Sequence, residues 1–405
     1  MKILKTFVKL MGAGSLLVLL SSVVAAADPV RSDMFSLSIN GDEVEFGENV
    51  PVIVEDRTLL PLRFVFEQLD GDELEWNEEE RLATLTRGED VVKLWVDTGK
   101  AEVNGTEANL EVAPIIYNDS TYVPLAFIAD DFDMSVHWDN DNFAAYIADN
   151  SQIDKIIDLI IGNSQDGSIG MPSTSADIMI EMEIRMEAGG LFDDSMKIHS
   201  EGKVQQDHTN RFQHTALSIT VHGENEKLFV ESYDDGNAMY MLVNDDVIKT
   251  QSAFTYTESL LSQYSGIYWL DIAQKFYSGL KLEEDDEKFT VSGKMFIPEE
   301  DFHQLIMAGF NESFAEAAED VAQMIGGMEV KFIEPVDFIM VFHRETRRPL
   351  SMQMRYAVEM SMDVFGEKFF IFQKYSVNMP KFEYDVKFDT TVPARIVEGR
   401  QPQGT

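Results

Sequence analysis

The chain has 405 residues, 72 acidic against 32 basic side chains, a net charge of −40 and no cysteine. This length exceeds what one hydrophobic core usually serves, so the sequence predicts two domains. The charge disfavours nucleic acid and anionic lipid headgroups as partners, and the lack of cysteine excludes disulfide bonds, a thiol nucleophile and a lipidated cysteine anchor.

The first residues have the layout of a secretory signal peptide. Lys2, Lys5 and Lys9 precede an apolar stretch from Leu10 to Val24, and three alanines then offer a cleavage site before Asp28. The apolar stretch is short for a membrane span, and the alternative is a buried N-terminal helix. We therefore expect a signal peptide over residues 1–27. The mature protein would be secreted or associated with the cell wall, without a transmembrane segment.

One phrase follows twice, 63 residues apart: EDRTLLPLRFVFEQL from Glu55 and NDSTYVPLAFIADDF from Asn118. Each copy is later followed by a tryptophan, and the repeats cover about 39–85 and 103–147. The shared positions of the first copy are Asp56, Thr58, Pro61, Leu62, Phe64 and Trp76. Those of the second copy are Asp119, Thr121, Pro124, Leu125, Phe127 and Trp138.

The elements of each repeat can be read from its residues. An Asn-Gly pair predicts a hairpin turn, and two short strands around a polar turn come next. Proline then suits the first turn of a helix, whose apolar spacing is Leu62, Val65, Phe66 and Leu69 in the first copy. The tryptophan strand and a last strand complete the unit. We expect two small α+β modules that pack together.

This doubled phrase resembles the copper amine oxidase N-terminal-like domain, or stalk domain, of secreted bacterial proteins, over residues 36–148. The resemblance implies an accessory module for attachment or protein contacts. It implies neither copper nor oxidation. The chain has no Asn-Tyr dipeptide and no His-x-His pair, which true amine oxidases need for their quinone and their copper. We therefore expect no metal and no cofactor.

The second half, residues 151–397, alternates with period 2 over long stretches, which predicts antiparallel strands with one covered face. Helices are predicted at Ser151–Ile161, Thr257–Tyr277 and Glu299–Met324, and residues 398–405 are expected to form a disordered tail. The predicted fold class is therefore α+β. A duplicated small stalk-like module precedes a curved antiparallel sheet with helices on one face.

Seventeen of the 21 methionines lie between Met171 and Met379. Methionine adapts to varied apolar partners, so they indicate either an ordinary core or a soft cavity for a hydrophobic ligand. The ligand-binding candidates are Met182, Met352, Met354, Tyr356 and Met360. The layout of the second half, and its strand–turn–strand at HRETRRPL, resemble secreted proteins of the lipoprotein-carrier fold. That resemblance implies a half-barrel around an apolar cavity that holds a lipid or an acyl chain.

The residue pattern offers no catalytic set. The spacings of His199, His208, His214 and His222 match no zinc pattern, and no nucleophile elbow or phosphate-binding glycine loop appears. Arg344, Arg347 and Arg348 are interpreted as a solvated hairpin tip. We expect a non-enzymatic protein with a cell-surface or cell-wall partner and a hydrophobic ligand. The alternatives are a structural adhesion or assembly protein without a cavity, and an accessory of cell-wall polymer processing.

Overall fold

The fold is taken from a computed structural model, which describes residues 30–31, 35–48, 50–55, 57–69, 71–125, 127, 132–139, 142–160, 173–188, 192–207, 210, 212–221, 227–243, 246–251, 277–296, 329–364 and 367–397. The chain divides into two compact units. The smaller comprises Met1–Asp33 and Phe46–Leu125, and the larger comprises Met34–Glu45 and Ala126–Thr405. The predicted signal peptide and tail lie outside the described residues.

In chain order the elements are β1 (Val30–Arg31), β2 (Ser36–Ile39), β3 (Asp42–Glu43), β4 (Val52–Val54), β5 (Arg57–Pro61), α1 (Leu62–Gln68), β6 (Glu73–Asn77), β7 (Leu82–Arg87), β8 (Asp90–Trp95), β9 (Lys100–Val103), β10 (Thr106–Asn109), β11 (Ile115–Tyr117), β12 (Ser120–Pro124), β13 (Met134–Asp139), β14 (Ala144–Asp149), α2 (Asn150–Ile160), β15 (Thr174–Ala188), β16 (Phe192–Asp207), β17 (Phe212–Val221), β18 (Lys227–Asp234), β19 (Ala238–Val243), β20 (Asp246–Gln251), β21 (Gly279–Glu284), β22 (Lys288–Met295), β23 (Glu329–His343), β24 (Pro349–Val364), β25 (Glu367–Met379), β26 (Phe382–Tyr384) and α3 (Ala394–Val397).

The smaller unit holds two five-stranded sheets, in the orders β1-β4-β5-β12-β11 and β10-β9-β8-β7-β6. In the first sheet the two copies of the repeated phrase pair directly, because Leu60 of β5 lies opposite Val123 of β12. Both side chains are fully buried. The duplication therefore supplies the two central strands of one sheet.

The predicted turns of the repeats are confirmed. Asn40-Gly41 joins β2 to β3 and Asn104-Gly105 joins β9 to β10, and all four residues have positive φ. Pro61 ends β5 and precedes α1, one residue before its predicted place in the first helical turn.

The helix α1 buries the predicted apolar stripe. Leu62, Val65, Phe66 and Leu69 are each at most 2 % exposed. The corresponding helix of the second copy lies largely outside the described residues, although Leu125 and Phe132 are both 1 % exposed.

The larger unit holds a four-stranded sheet, β13-β14-β2-β3, in which β14 and β2 run parallel. It also holds a twelve-stranded antiparallel sheet in the order β20-β19-β18-β17-β16-β15-β25-β24-β23-β22-β21, with β26 paired to β15. Strands β15, β16 and β24 have 15 or 16 residues, far above the usual five or six. Register shifts in β23 near Glu334 mark bulges, which bend a strand.

The described part of the chain is β-rich. The antiparallel sheets agree with the sequence prediction, but the α+β class is not confirmed, since α1, α2 and α3 are short. The predicted helices Thr257–Tyr277 and Glu299–Met324 lie outside the described residues, apart from Tyr277. Among the described residues no helix is long and apolar enough to cross a membrane.

The helix α2 begins one residue before its predicted start and packs on the twelve-stranded sheet. Ile153, Ile156 and Leu159 join Leu280, Val291, Phe338 and Phe342 in one buried cluster. Ile157 and Ile160 pack at the edge of the cluster. Gln152 Nε2 also donates to the carbonyl oxygen of Leu280 at 3.2 Å. This end of the sheet is thus a well-packed core.

Candidate functional site

The register of the long sheet brings the five predicted ligand-binding residues to one face. Met182 lies opposite Tyr375, which in turn lies opposite Tyr356 on the next strand. Residues directly opposite in an antiparallel pair point to the same side of the sheet. Met352, Met354 and Met360 are each an even number of residues from Tyr356 along β24, so their side chains lie on the same side of the sheet. All five are half-buried. We call this side of the sheet the apolar face.

The apolar face continues across the neighbouring strands on both sides, as the pairings show. Its further apolar members include Ile180, Ile184, Ile198, Leu217, Ile219, Leu228 and Val230, whereas Phe338, Met340 and Val291 on the same side are taken up by the α2 cluster. Such a run exceeds the isolated apolar residues that are normal on a protein surface. Apolar side chains therefore dominate this side of the sheet from β18 to β24, with Ser200 and Gly202 among them.

The opposite side of the same strands is charged. Across β15 and β16, Glu181 lies 2.5 Å from His199 Nδ1, Glu183 pairs with Lys197, and Asp177 lies 3.6 Å from Lys203. The Lys197 hydrogen bond lowers the pKa of Glu183. These exposed pairs contribute little stability, but they show which face meets water.

An aromatic group occupies the middle of the apolar face. The rings of Tyr356 and Tyr375 stack with centroids 4.6 Å apart, and Phe332 meets Tyr356 edge-on at 6.1 Å. The Tyr375 hydroxyl donates to Gln373 Oε1 at 2.7 Å. Burial raises the pKa of Tyr356 to about 12, with Tyr375 as a smaller cause. Its phenol therefore stays neutral at ordinary pH and keeps a proton to donate.

Met352 differs from the other candidates. It packs, together with Met340, against the buried cluster that α2 forms with the sheet. Core packing accounts for this residue without a ligand. Met182, Met354, Tyr356 and Met360 lie on other parts of the apolar face.

The opposite side has its own packed patch near β17–β19. Phe212, Tyr233 and Tyr240 are buried with Ile396, and Phe388 packs against them. The His214 ring stacks on Tyr233 at 4.4 Å, and its Nε2 is buried without a hydrogen-bond partner among the described residues. Burial lowers the pKa of His214, which Glu231 partly offsets. No sequence signal linked the C-terminal segment to this patch.

The repeated phrase divides into buried and surface positions. Leu62 and Leu125 are at most 2 % exposed and Pro61 is buried, so these positions build the core. Thr58, Thr121, Pro124 and Phe127 are half-buried, and Phe64 lies 5.5 Å from Phe46. Asp119 is exposed, Trp76 is half-buried and Trp138 is 39 % exposed, whereas Asp56 lies outside the described residues. Asp119 has positive φ in the two-residue β11–β12 turn, which aspartate tolerates, and Trp138 lies 6.1 Å from the buried Phe35.

The arginines of the β23–β24 turn are partly exposed, as the sequence suggested, with side-chain exposures of 40 % for Arg344, 49 % for Arg347 and 26 % for Arg348, and each also pairs with a carboxylate. Arg344 lies 2.5 Å from Glu284 and Arg348 lies 3.3 Å from Asp385, while Arg347 pairs with Asp158 of α2. The turn thus binds three separate segments. Within the described ranges, no group of three or more His, Asp or Glu side chains could hold a metal ion. His208 and His222 lie outside those ranges.

Residues 38–147 match the copper amine oxidase N-terminal domain, which confirms the resemblance drawn from the doubled phrase. A search of curated proteins finds no match.

Three solved structures are similar to the chain at low identity. LprF from Mycobacterium bovis is 10 % identical, with a TM-score of 0.23 over 59 % of this chain and 98 % of that one. A LolA superfamily protein from Nitrosomonas europaea is 10 % identical, with a TM-score of 0.15 over 54 % and 90 %. A beta-barrel-like protein of a domain of unknown function from Brucella abortus is 11 % identical, with a TM-score of 0.16 over 53 % and 99 %. At these TM-scores the likenesses carry no conclusion about function.

A second family model matches residues 157–400, which is more than half of the chain. The chain therefore belongs to the family of unknown function DUF6612.

Proposed function

We propose that this is a non-enzymatic exported protein whose twelve-stranded sheet binds a hydrophobic ligand such as a lipid or an acyl chain. Residues 36–148 would form the module for attachment or protein contacts, and residues 151–397 the ligand-binding domain. The protein would act at the cell surface or in the cell wall.

One observation carries the ligand proposal. The register gathers the apolar side chains of many strands on one face, while the other face of β15 and β16 carries ion pairs. Binding sites for apolar molecules are typically lined by hydrophobic and aromatic side chains with a few polar groups that fix orientation. Tyr356 and Tyr375 supply those polar groups within the apolar face. A carbonyl or hydroxyl at the head of an apolar chain would accept from the Tyr356 hydroxyl, since the Tyr375 hydroxyl already donates to Gln373.

The main alternative is a structural adhesion or assembly protein whose sheet is fully packed. It is favoured by Met340 and Met352, which pack against the α2 cluster. An accessory role in cell-wall polymer processing is the weaker alternative, and it would need a site for the polymer.

The test is native mass spectrometry of the mature chain from Asp28, purified from its own secretion medium and then extracted with organic solvent. We expect a discrete added mass that moves into the organic phase, and saturable binding of the neutral apolar dye Nile red by the extracted protein. A bare mass together with no dye uptake would contradict the ligand proposal and favour the structural alternative.

A further inference from the structure

A groove of about 530 Å³ lies within the smaller unit, and both copies of the repeated phrase line it. Its largest apolar side chains are Phe64 from α1, Trp76 from β6 and Ile116 from β11. Ile116 is 42 % exposed, and Phe64 and Trp76 are half-buried. The volume of the groove falls within the range of small-molecule sites, about 300–1,000 Å³. The groove exists because the duplication brings β11–β12 beside the first copy.

Charged side chains of both signs surround this aromatic centre. Arg63 and Glu67 of α1 line the groove, as does Asp119 of the β11–β12 turn, and all three are exposed. Among the described residues none of the three has an ion-pair partner. Glu78 is engaged, because it accepts from Trp76 Nε1 at 2.6 Å and so fixes the orientation of the indole ring. The groove thus combines a fixed aromatic ring with uncommitted donors and acceptors.

The balance of these groups restricts the ligand. Three carboxylates against one guanidinium disfavour phosphates, uronic acids and other anions. A cationic peptide would suit the carboxylates, but Arg63 would repel its charged side chains. A sugar ring offers hydroxyl groups that both donate and accept, together with an apolar face for the indole ring. A neutral glycan or an amino-sugar glycan meets every one of these groups.

We propose that this groove binds a sugar unit of a neutral or amino-sugar glycan. Trp76 stacks on the ring, while Glu67, Asp119 and Arg63 bind its hydroxyl groups. This inference deepens the attachment role proposed above and rests on it. It assigns the attachment to a polysaccharide, and it gives the half-buried Trp76 of the repeated phrase a binding role.

The test measures binding of the full mature chain to two probes. These are purified peptidoglycan sacculi stripped of proteins and anionic polymers, and a soluble oligomer of N-acetylglucosamine. We expect binding to both, weakened about tenfold or more by Trp76→Ala, as for truncation of a central aromatic contact. Because Trp76→Ala can disturb folding, the double variant Glu67→Gln/Asp119→Asn is measured beside it. We call this double variant the groove variant, and it should also bind both probes more weakly than the wild type. The matched control, Glu48→Gln/Glu89→Gln, removes two exposed carboxylates of the same unit outside the groove and should bind like the wild type.

Each result is decisive. Equal binding by the groove variant and the control would overturn the inference, and so would a lack of binding to both probes. Binding to oligolysine that is lost in the groove variant would reassign the groove to a cationic peptide. If the protein sediments with intact cell walls but not with the purified glycan, the attachment role is supported and glycan binding is contradicted. Nile red uptake tests the hydrophobic ligand separately.

Discussion

Tyr356 and Tyr375 stack across neighbouring strands with their ring planes only 16° apart. The pair lies on the apolar face between Met354 and Met360, where half-buried methionines surround two phenols. Stacked aromatics in a methionine surface combine a fixed platform with adaptable walls. This pair is therefore the point on the apolar face where a ligand and a packed core make different predictions.

Tyr356→Ala should weaken Nile red binding about tenfold, because an aromatic side chain contributes roughly 1.5–3 kcal/mol when it is buried. The matched control is Gln353→Ala, on the opposite face of the same strand, which should bind the dye like the wild type. Titration of the dye fluorescence measures both. If dye binding stays unchanged while the stability falls, the pair belongs to an ordinary core.

The protein should lose stability in alkali between pH 10 and about 12. Burial raises the pKa of Tyr356 and of Tyr277 to about 12, against an ordinary value of 10. Above pH 10 the unfolded state releases these protons while the native state keeps them, so the stability present below pH 10 declines as the pH rises. The phenolate absorbance of native and urea-unfolded protein should show the difference. Tyr356→Phe should remove part of the absorbance change that the native protein shows near pH 12. If the native and unfolded proteins titrate at the same pH, the prediction is wrong.

The sequence predicted those features that depend on neighbouring residues. Asn104-Gly105 marks a turn because both residues tolerate positive φ, and the alternation along β24 marks a sheet with one apolar face. The sequence likewise predicted both ends of α2 within one residue. These signals are local, so a single sequence contains them.

Contacts between distant segments could not be predicted in this way. Arg347 pairs with Asp158, 189 residues earlier, and Ile396 packs beside Tyr233. The groove also needs the β11–β12 hairpin to lie next to Trp76. In each case packing between separate elements creates the contact, and nothing near these residues in the sequence specifies it.

Ile156→Ala should lower the free energy of unfolding of the larger unit by about 2–5 kcal/mol. Ile156 is fully buried between α2 and the sheet, so truncation leaves a cavity. The neighbouring exposed residue gives the control: Lys155→Ala should change stability by less than about 0.5 kcal/mol. Denaturant unfolding measures both. Equal effects would mean that α2 is not packed on the sheet.

The ion pair between the same elements should matter far less. Asp158 and Arg347 are 59 % and 49 % exposed, and water screens such pairs. Asp158→Asn should therefore cost at most about 1 kcal/mol, and less in high salt. A loss as large as that of Ile156→Ala would contradict the view that apolar packing holds α2.

The packing of residues 386–397 on the sheet should weaken at acid pH because of His214. Burial lowers the pKa of this imidazole below its ordinary value of 6.5, and its buried Nε2 has no acceptor among the described residues. As the pH falls below 6.5, His214 takes up a proton in the unfolded state before it does so in the native state. The free energy of unfolding therefore decreases until the pH has fallen below the lowered pKa of the native state. His214→Phe keeps a ring to stack on Tyr233 but cannot titrate, so it should flatten this pH dependence. The control is His199→Gln on the same side of the sheet, which should keep it. Thermal unfolding and limited proteolysis of residues 386–397 at several pH values measure the effect. An unchanged slope in His214→Phe would show that another group controls the acid response.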